Sequence, residues 1–338
     1  MMWISKHDES PAWRDIFVNA ALNSVTVIVV GLRLYSRKLT HAGFGWDDGC
    51  IVVATMLVNC LLLVAGFLIS LGFGLPIEEV DRADARKAAE FGRAFRFLFI
   101  LCICFVKLSA LLFYIRVFGT RTIQPNTNTI TSHLSQSFTG NIDSNAHLNP
   151  TPGPEPVKTR LSRTYSALNA LLAKARPTTF RQTCICLITV VLLWSTANLL
   201  QELTVCGLNK PMCINQRYTD LGMCVFNAVG DLVILLVPLW PIWRLQMKTS
   251  SKVSLSLVFM LGIVTIFVAF LRFEAIAVTA YGGDYNDTAM QSANYAILEP
   301  NLAILCISLP MLQPLLRRLR PWLAARSSAF RSRAPPAR

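Results

Sequence analysis

The chain has 338 residues, of which 53% are apolar and only 15% charged, and its mean hydropathy is +0.47. Soluble domains carry about 25% charged residues, so one compact soluble domain is excluded, and the apolar content excludes global disorder. The charge is lopsided, 32 Lys and Arg against 19 Asp and Glu for a net +13, which suits nucleic acid, a membrane surface or charge sorted to one side of a bilayer.

Crossing a hydrocarbon core takes about 20 apolar residues. Seven runs qualify in chain order: Ile16 to Leu34, Cys50 to Leu71, Phe91 to Phe118, Cys184 to Leu203, Asp220 to Trp243, Val253 to Ala280 and Asn294 to Leu316. The second, fourth and fifth are the clearest. Buried soluble helices explain any one such run, since periodicity does not separate the two cases, but seven in one chain leave that reading little room. Residues 1–15 mix Lys6 and Arg14 with Asp8, Glu9 and Asp15, and no small-residue cleavage site follows. The first span therefore reads as retained. The expected class is an all-α, polytopic membrane protein with a bundle of seven transmembrane helices. Its parts are an extracellular segment 1–15, spans one to three in 16–118, a long cytoplasmic loop 119–180, spans four to seven in 181–319 and a basic cytoplasmic tail 320–338.

Charge orients the bundle. One side collects about 21 of the 32 Lys and Arg and the other about 9, and the richer side should be cytoplasmic. That puts the amino terminus outside and the carboxyl terminus inside, and the plasma membrane is the expected location. The sequon Asn286-Asp287-Thr288 then falls in the outside loop 6–7 as a glycosylation candidate. Eight of the ten cysteines lie in spans as small apolar fillers. Cys206 and Cys213 sit in outside loop 4–5, where an oxidising exterior permits a disulfide; pairing elsewhere or free thiols are the alternatives.

The long loop between spans three and four is rich in Thr, Asn, Ser and Pro from Thr120 to Pro156, a linker composition. Leu161, Tyr165, Leu168 and Leu172 then share a helical face flanked by Arg160, Arg163, Lys174 and Arg176. This reads either as a basic amphipathic helix on the inner leaflet or as a solvated loop with a transient helix.

Ionisable residues inside spans are costly and therefore functional suspects. At about 1.5 Å per residue, Lys107 in span three and Asp231 in span five lie at similar depth, so a Lys107–Asp231 pair is possible. Asn227 stands one turn from Asp231 on the same face. Arg272 in span six and Glu299 in span seven form a second candidate pair nearer the outer surface. Glu274, two residues from Arg272, points elsewhere. These pairs either hold the bundle together or line an outward-open polar pocket with Asn198, Gln201 and Glu202 of span four.

Other chemistry is not encoded. There is no P-loop, no H-E-x-x-H and no nucleophile elbow, and His7, His41, His133 and His147 are scattered, so no metal site is expected. Span seven has no lysine for a retinal Schiff base, and no cofactor is expected. Asp47-Asp48 reads as an amino-terminal cap for span two. An enzyme is the less favoured class.

Several segments together resemble the fungal rhodopsin-domain integral membrane proteins. They are Arg33-Leu-Tyr-Ser-Arg37, Gly45-Trp-Asp-Asp48, Lys107-Leu-Ser-Ala-Leu-Leu-Phe-Tyr-Ile-Arg-Val-Phe118, and Asn227-Ala-Val-Gly-Asp231 with Pro238 and Trp243. Gly262 to Arg272 and Pro310-Met-Leu-Gln-Pro314 complete the set. The resemblance covers about residues 15–120 and 180–322. It implies the seven-helix architecture of receptors related to fungal pathogenesis and of membrane proteins encoded in mycotoxin clusters of the satratoxin type, without implying retinal. Cys206 and Cys213 match that family's paired cysteines. The chain departs from the pattern at Leu75-Pro76, where a His is common, at Tyr295, where a Trp is usual, and in roughly 55 residues inserted between spans three and four. A retained intron within 122–176 would account for the insertion.

The expected function is receptor-like. A small-molecule ligand would be sensed outside and the signal passed to a G protein or other cytoplasmic partner, with the lipid bilayer as the constant partner and nucleic acid as none. A membrane-embedded enzyme or accessory protein of a secondary-metabolite pathway is the alternative. A transporter is third, since no internal repeat is visible.

Overall fold

The computed structural model describes residues 11–40, 43–74, 81–119, 157–204, 216–238, 249–280 and 285–331. Among these the secondary structure is helical throughout, in seven helices. They are α1 (Pro11–Leu39), α2 (Trp46–Ser70), α3 (Arg82–Gly119), α4 (Val157–Thr204), α5 (Gln216–Leu236), α6 (Thr249–Ala280) and α7 (Tyr285–Arg331). Among the described residues six helices, α1 to α4, α6 and α7, are long and apolar enough to cross a membrane. The protein is thus a multi-pass helical membrane protein.

The fifth run, Asp220 to Trp243, is described as far as Pro238. Helix α5 opens on the polar Gln216-Arg-Tyr-Thr-Asp220 and runs to Leu236. At its end Val237 N–H donates to Val233 O at 3.0 Å. Pro238 follows, and a proline lacks the N–H to continue a helix and disfavours helical geometry at the residue before it. Other boundaries extend outward. Helix α3 starts nine residues before Phe91, because Arg82-Ala-Asp-Ala-Arg-Lys-Ala-Ala-Glu90 is made of good helix formers. Helix α4 is continuous from Val157, so the amphipathic stretch at 161–176 is helical backbone joined to span four. Helix α7 begins at Tyr285 and runs to Arg331. The Asn286 sequon therefore falls in its first turn and not in a loop, and an Asp followed by a Thr suits a helix amino terminus.

The described residues divide into two compact units, Met1–Phe113 with Leu187–Arg338, and Tyr114–Cys186. The second holds the last turns of α3 and the amino-terminal part of α4. In the first, α7 packs against α6, α1 and α2, α1 against α2, and α5 against α6.

Helix α2 shows how the bundle forms. Ile51, Ala54, Val58, Leu61, Ala65 and Leu68 are all buried, and their alternating spacing of three and four draws one stripe along the helix. That stripe packs on Val30 of α1, Phe95, Cys102 and Val106 of α3, and Ile297 and Ile304 of α7. The opposite face is also apolar but exposed, with Met56 at 63% and Leu63 at 74%. An apolar helix whose outer face is equally apolar has lipid, not water, as its solvent.

Helix α1 inverts the soluble pattern. Asn19, Asn23, Thr26, Val30, Arg33 and Arg37 form the buried stripe, again at spacings of three and four, while Phe17, Val18, Ile28 and Tyr35 are exposed. Polar residues inside and apolar residues outside let helices adhere where lipid gives no hydrophobic drive. Asn23 Nδ2 donates to Asn59 Oδ1 of α2 at 2.9 Å, Asn19 Nδ2 to Asn294 O of α7 at 3.4 Å, and Ser36 Oγ to Met311 O at 3.0 Å.

Candidate functional site

Two ionic clusters occupy the interior of the first unit. The first lies where α1 ends and α2 begins, a turn in which Gly43 takes a φ of +67° that a side chain rarely adopts. Arg33 Nε donates to Asp48 Oδ1 at 3.0 Å and Arg33 Nη2 to Asp47 Oδ2 at 2.8 Å. Arg37 Nη2 reaches the same Asp47 Oδ2 at 2.8 Å, and its Nε lies 3.3 Å from Asp48 Oδ2. All four side chains are buried, Arg33 completely.

The cluster ties four helices together. Arg33 Nη1 donates to Ile307 O of α7 at 3.2 Å, and Ser109 Oγ of α3 donates to Asp47 O at 2.8 Å. Asp48 also caps α2, its Oδ2 accepting from Gly45 N–H at 3.1 Å. The capping role read from Asp47-Asp48 is thus half of the arrangement. Sequence reasoning missed the pairing with Arg33 and Arg37. The signal was present: two arginines one turn apart on α1, and two adjacent carboxylates across a turn short enough to force an antiparallel hairpin.

The second cluster lies deeper and spans α3, α5, α6 and α7. Lys107 Nζ stands 3.3 Å from Asp231 Oδ1 and donates to Asn227 O at 2.9 Å. Arg272 Nε lies 3.3 Å from Glu299 Oε2. The guanidinium also sits over the Phe99 ring, 4.4 Å from its centroid, in cation–π geometry. The two ion pairs are not separate. Asn227 Nδ2 of α5 donates to Glu299 Oε1 of α7, so one asparagine holds Lys107 through its carbonyl and Glu299 through its side chain. Two cations and two carboxylates balance. Glu299 is 1% exposed, Arg272 5% and Lys107 7%.

The backbone makes room for this network. A Cβ on Gly230 would stand 2.9 Å from Lys107 Nζ, so glycine is what lets the ammonium approach α5. Glu274 is exposed, away from the network.

A third pair, Arg96 Nε of α3 to Glu202 Oε1 of α4 at 3.2 Å, lies towards the other end of the unit. Near it a cleft of about 580 Å³ opens between α4 and α5. Asn198 and Gln201 line it together with Trp194 and Phe226, whose rings stack at 4.0 Å. Arg272 and Glu299 are not on its wall; they face each other inside the bundle. Cys206 and Cys213 lie outside the described residues, and the eight described cysteines form no disulfide with one another. Among the described residues no group of three or more His, Cys, Asp or Glu is placed to hold a metal.

A multi-pass helical bundle with a charge-balanced polar interior is the class these features define. The fungal rhodopsin domain matches residues 32–139 and 168–318, and the chain belongs to that family. The match spans both ionic clusters and leaves 140–167, inside the inserted segment, uncovered. The chain is also 37% identical over 62 residues to a SAT4 family membrane protein of Emericella nidulans, a stretch covering 18% of this chain and 16% of that protein. No solved structure matches.

Proposed function

We propose that the protein is a receptor-like signal transducer of the plasma membrane, with its amino terminus outside and its carboxyl terminus in the cytoplasm. A small-molecule ligand shifts the helices, and the basic inner loops carry the change to a G protein or another cytoplasmic partner. No retinal and no other cofactor takes part.

The observation that carries this reading is the five-residue network of Lys107, Asn227, Asp231, Arg272 and Glu299 across four helices. Ionic groups inside a membrane are expensive, and buried pairs are often replaceable by apolar residues with no loss of stability. A network of this kind earns its place by fixing one relative position of the helices, which a bound ligand can then change. The Arg33–Asp47–Asp48–Arg37 cluster supplies the frame against which α5 and α6 shift. The same burial counts against an enzyme, because neither Glu299 nor Lys107 is presented as an acid or base to a substrate.

The test replaces Arg272 and Glu299 together, as Arg272→Met with Glu299→Leu, so that no unpaired charge remains. The double variant replaces the chromosomal copy and is compared with a deletion strain. Normal abundance with the transcriptional profile of the deletion supports the reading. Normal abundance with the parental profile would show a purely architectural network and end it.

A further inference from the structure

Helix α5 has two working faces. Asn227, Gly230 and Asp231 belong to the network, while Gly222, Phe226 and Val229 line the cleft shared with α4. The cleft's apolar side is open, with Phe226 39%, Val225 49% and Val229 52% exposed on α5. In a membrane-spanning helix such exposure is exposure to hydrocarbon, so whatever enters comes from the bilayer. Its volume is that of a site for a small organic ligand.

The wall is not wholly apolar. Asn198 and Gln201 reach it from α4. Asn198 Nδ2 donates to Trp194 O at 2.9 Å, which uses only one of its two N–H bonds. An amide facing hydrocarbon without a partner is costly. A molecule that brings its own hydroxyl or amide to this wall and lays an apolar body along Trp194, Phe226 and Val229 satisfies both halves. The lining residues carry no charge, and the nearest ionic pair, Arg96 with Glu202, is already matched.

We infer that this cleft is a lateral binding site for an uncharged amphiphile drawn from the bilayer, its polar head on Asn198 and Gln201 and its apolar body against Trp194, Phe226 and Val229. The proposal deepens the receptor-like reading and rests on it for its consequence: an occupant pressing on Phe226 and Val229 bears on the residues next to them, Asn227 and Gly230, which hold Lys107 and Glu299.

The structure offers a clean way to close the cleft. A Cβ on Gly222 meets no atom within 4 Å and Gly222 lines the cleft, so the side chain of Gly222→Leu starts in open space, narrows the cleft and replaces a poor helix former. The full-length protein in lipid nanodiscs is exposed to hexadecanol bearing a chain diazirine and an alkyne, with palmitic acid bearing the same groups as a charged control. The alcohol should crosslink saturably to the peptides holding Trp194–Gln201 and Gly222–Val229, about tenfold more strongly than the acid. Gln201→Leu should weaken this by about tenfold through loss of a buried hydrogen bond, and Gly222→Leu should abolish the saturable part at unchanged thermal stability. Labelling that follows lipid exposure over all helices, including Met56 and Leu63, and persists in Gly222→Leu overturns the proposal. If that happens while the Arg272/Glu299 double variant still mimics the deletion, the receptor reading stands and the ligand class falls. If the cleft labels as expected but the Gly222→Leu strain keeps the parental profile, the site stands and the receptor reading falls.

Discussion

Each charge in the interior is tolerable only because a specific partner stands within reach, and this makes single substitutions informative. Asp47 Oδ2 accepts from both Arg33 and Arg37 at 2.8 Å. Asp47→Asn leaves an excess positive charge beside a guanidinium with no exposure at all, a defect costing about 3–5 kcal/mol. The expected outcome is a sharp fall in folded yield and in the thermal midpoint of purified protein. Adding Arg37→Met removes the excess cation and should recover much of the loss, with the four-member thermal cycle as the measurement. Glycines make a second contrast. Gly230→Ala displaces Lys107 Nζ and breaks its 2.9 Å bond to Asn227 O, a loss of about 1 kcal/mol. Gly222→Ala meets open space and should be neutral or slightly stabilising. Equal midpoints for the two alanine variants would contradict the close approach at Gly230.

Between helices, contact distance decides. A Cβ on Gly262 of α6 would overlap Leu235 Cδ1 of α5 and stand 3.0 Å from its Cδ2, so α5 and α6 touch because this residue has no side chain. Gly262→Val should cost about 1–3 kcal/mol by overpacking, and Leu235→Ala should be partly compensating in the double variant, read as a non-additive pair of thermal midpoints. The helices themselves were legible from apolar runs, because about 20 mostly uncharged residues in a row match the thickness of a hydrocarbon core. Their ends were not. Arg82 to Glu90 and 157–180 look like loop by charge, yet Ala, Arg, Lys and Glu sustain helices where nothing needs burial. Within the interior, counting residues along spans brought Lys107 level with Asp231 and Arg272 level with Glu299. It did not show Asn227 joining them, because depth arithmetic fixes height in the bundle but not which faces meet. The inserted segment belongs to this scale too. Residues 140–167 fall outside the family match, so deleting them should leave abundance and thermal midpoint unchanged within error, whereas a large loss would mean that the segment supports the bundle.

At the scale of the whole molecule the +13 divides by side, and the division predicts an orientation. About 21 of the 32 basic residues collect where α1 ends and α2 begins, between α3 and α4, between α5 and α6 and in the tail. The positive-inside rule makes that side cytoplasmic, and the anionic inner leaflet adds about 1 kcal/mol for each Lys or Arg close to it. This orientation predicts the Arg33–Asp47–Asp48–Arg37 cluster at the cytoplasmic end, and the Arg96–Glu202 pair and the α4–α5 cleft towards the exterior. The same orientation predicts an exterior position for the Asn286 sequon in the first turn of α7. A tag at the carboxyl terminus should become accessible to antibody only after permeabilisation, while a tag before Met1 should be reached on intact cells. If Asn286 carries a glycan, endoglycosidase treatment shifts the wild-type band and leaves Asn286→Gln unmoved. The two tags test the orientation without the glycan, so an unshifted wild-type band removes only the modification. A carboxyl-terminal tag exposed on intact cells would invert the bundle, place the basic loops outside and remove the cytoplasmic partner surface on which the receptor-like reading depends.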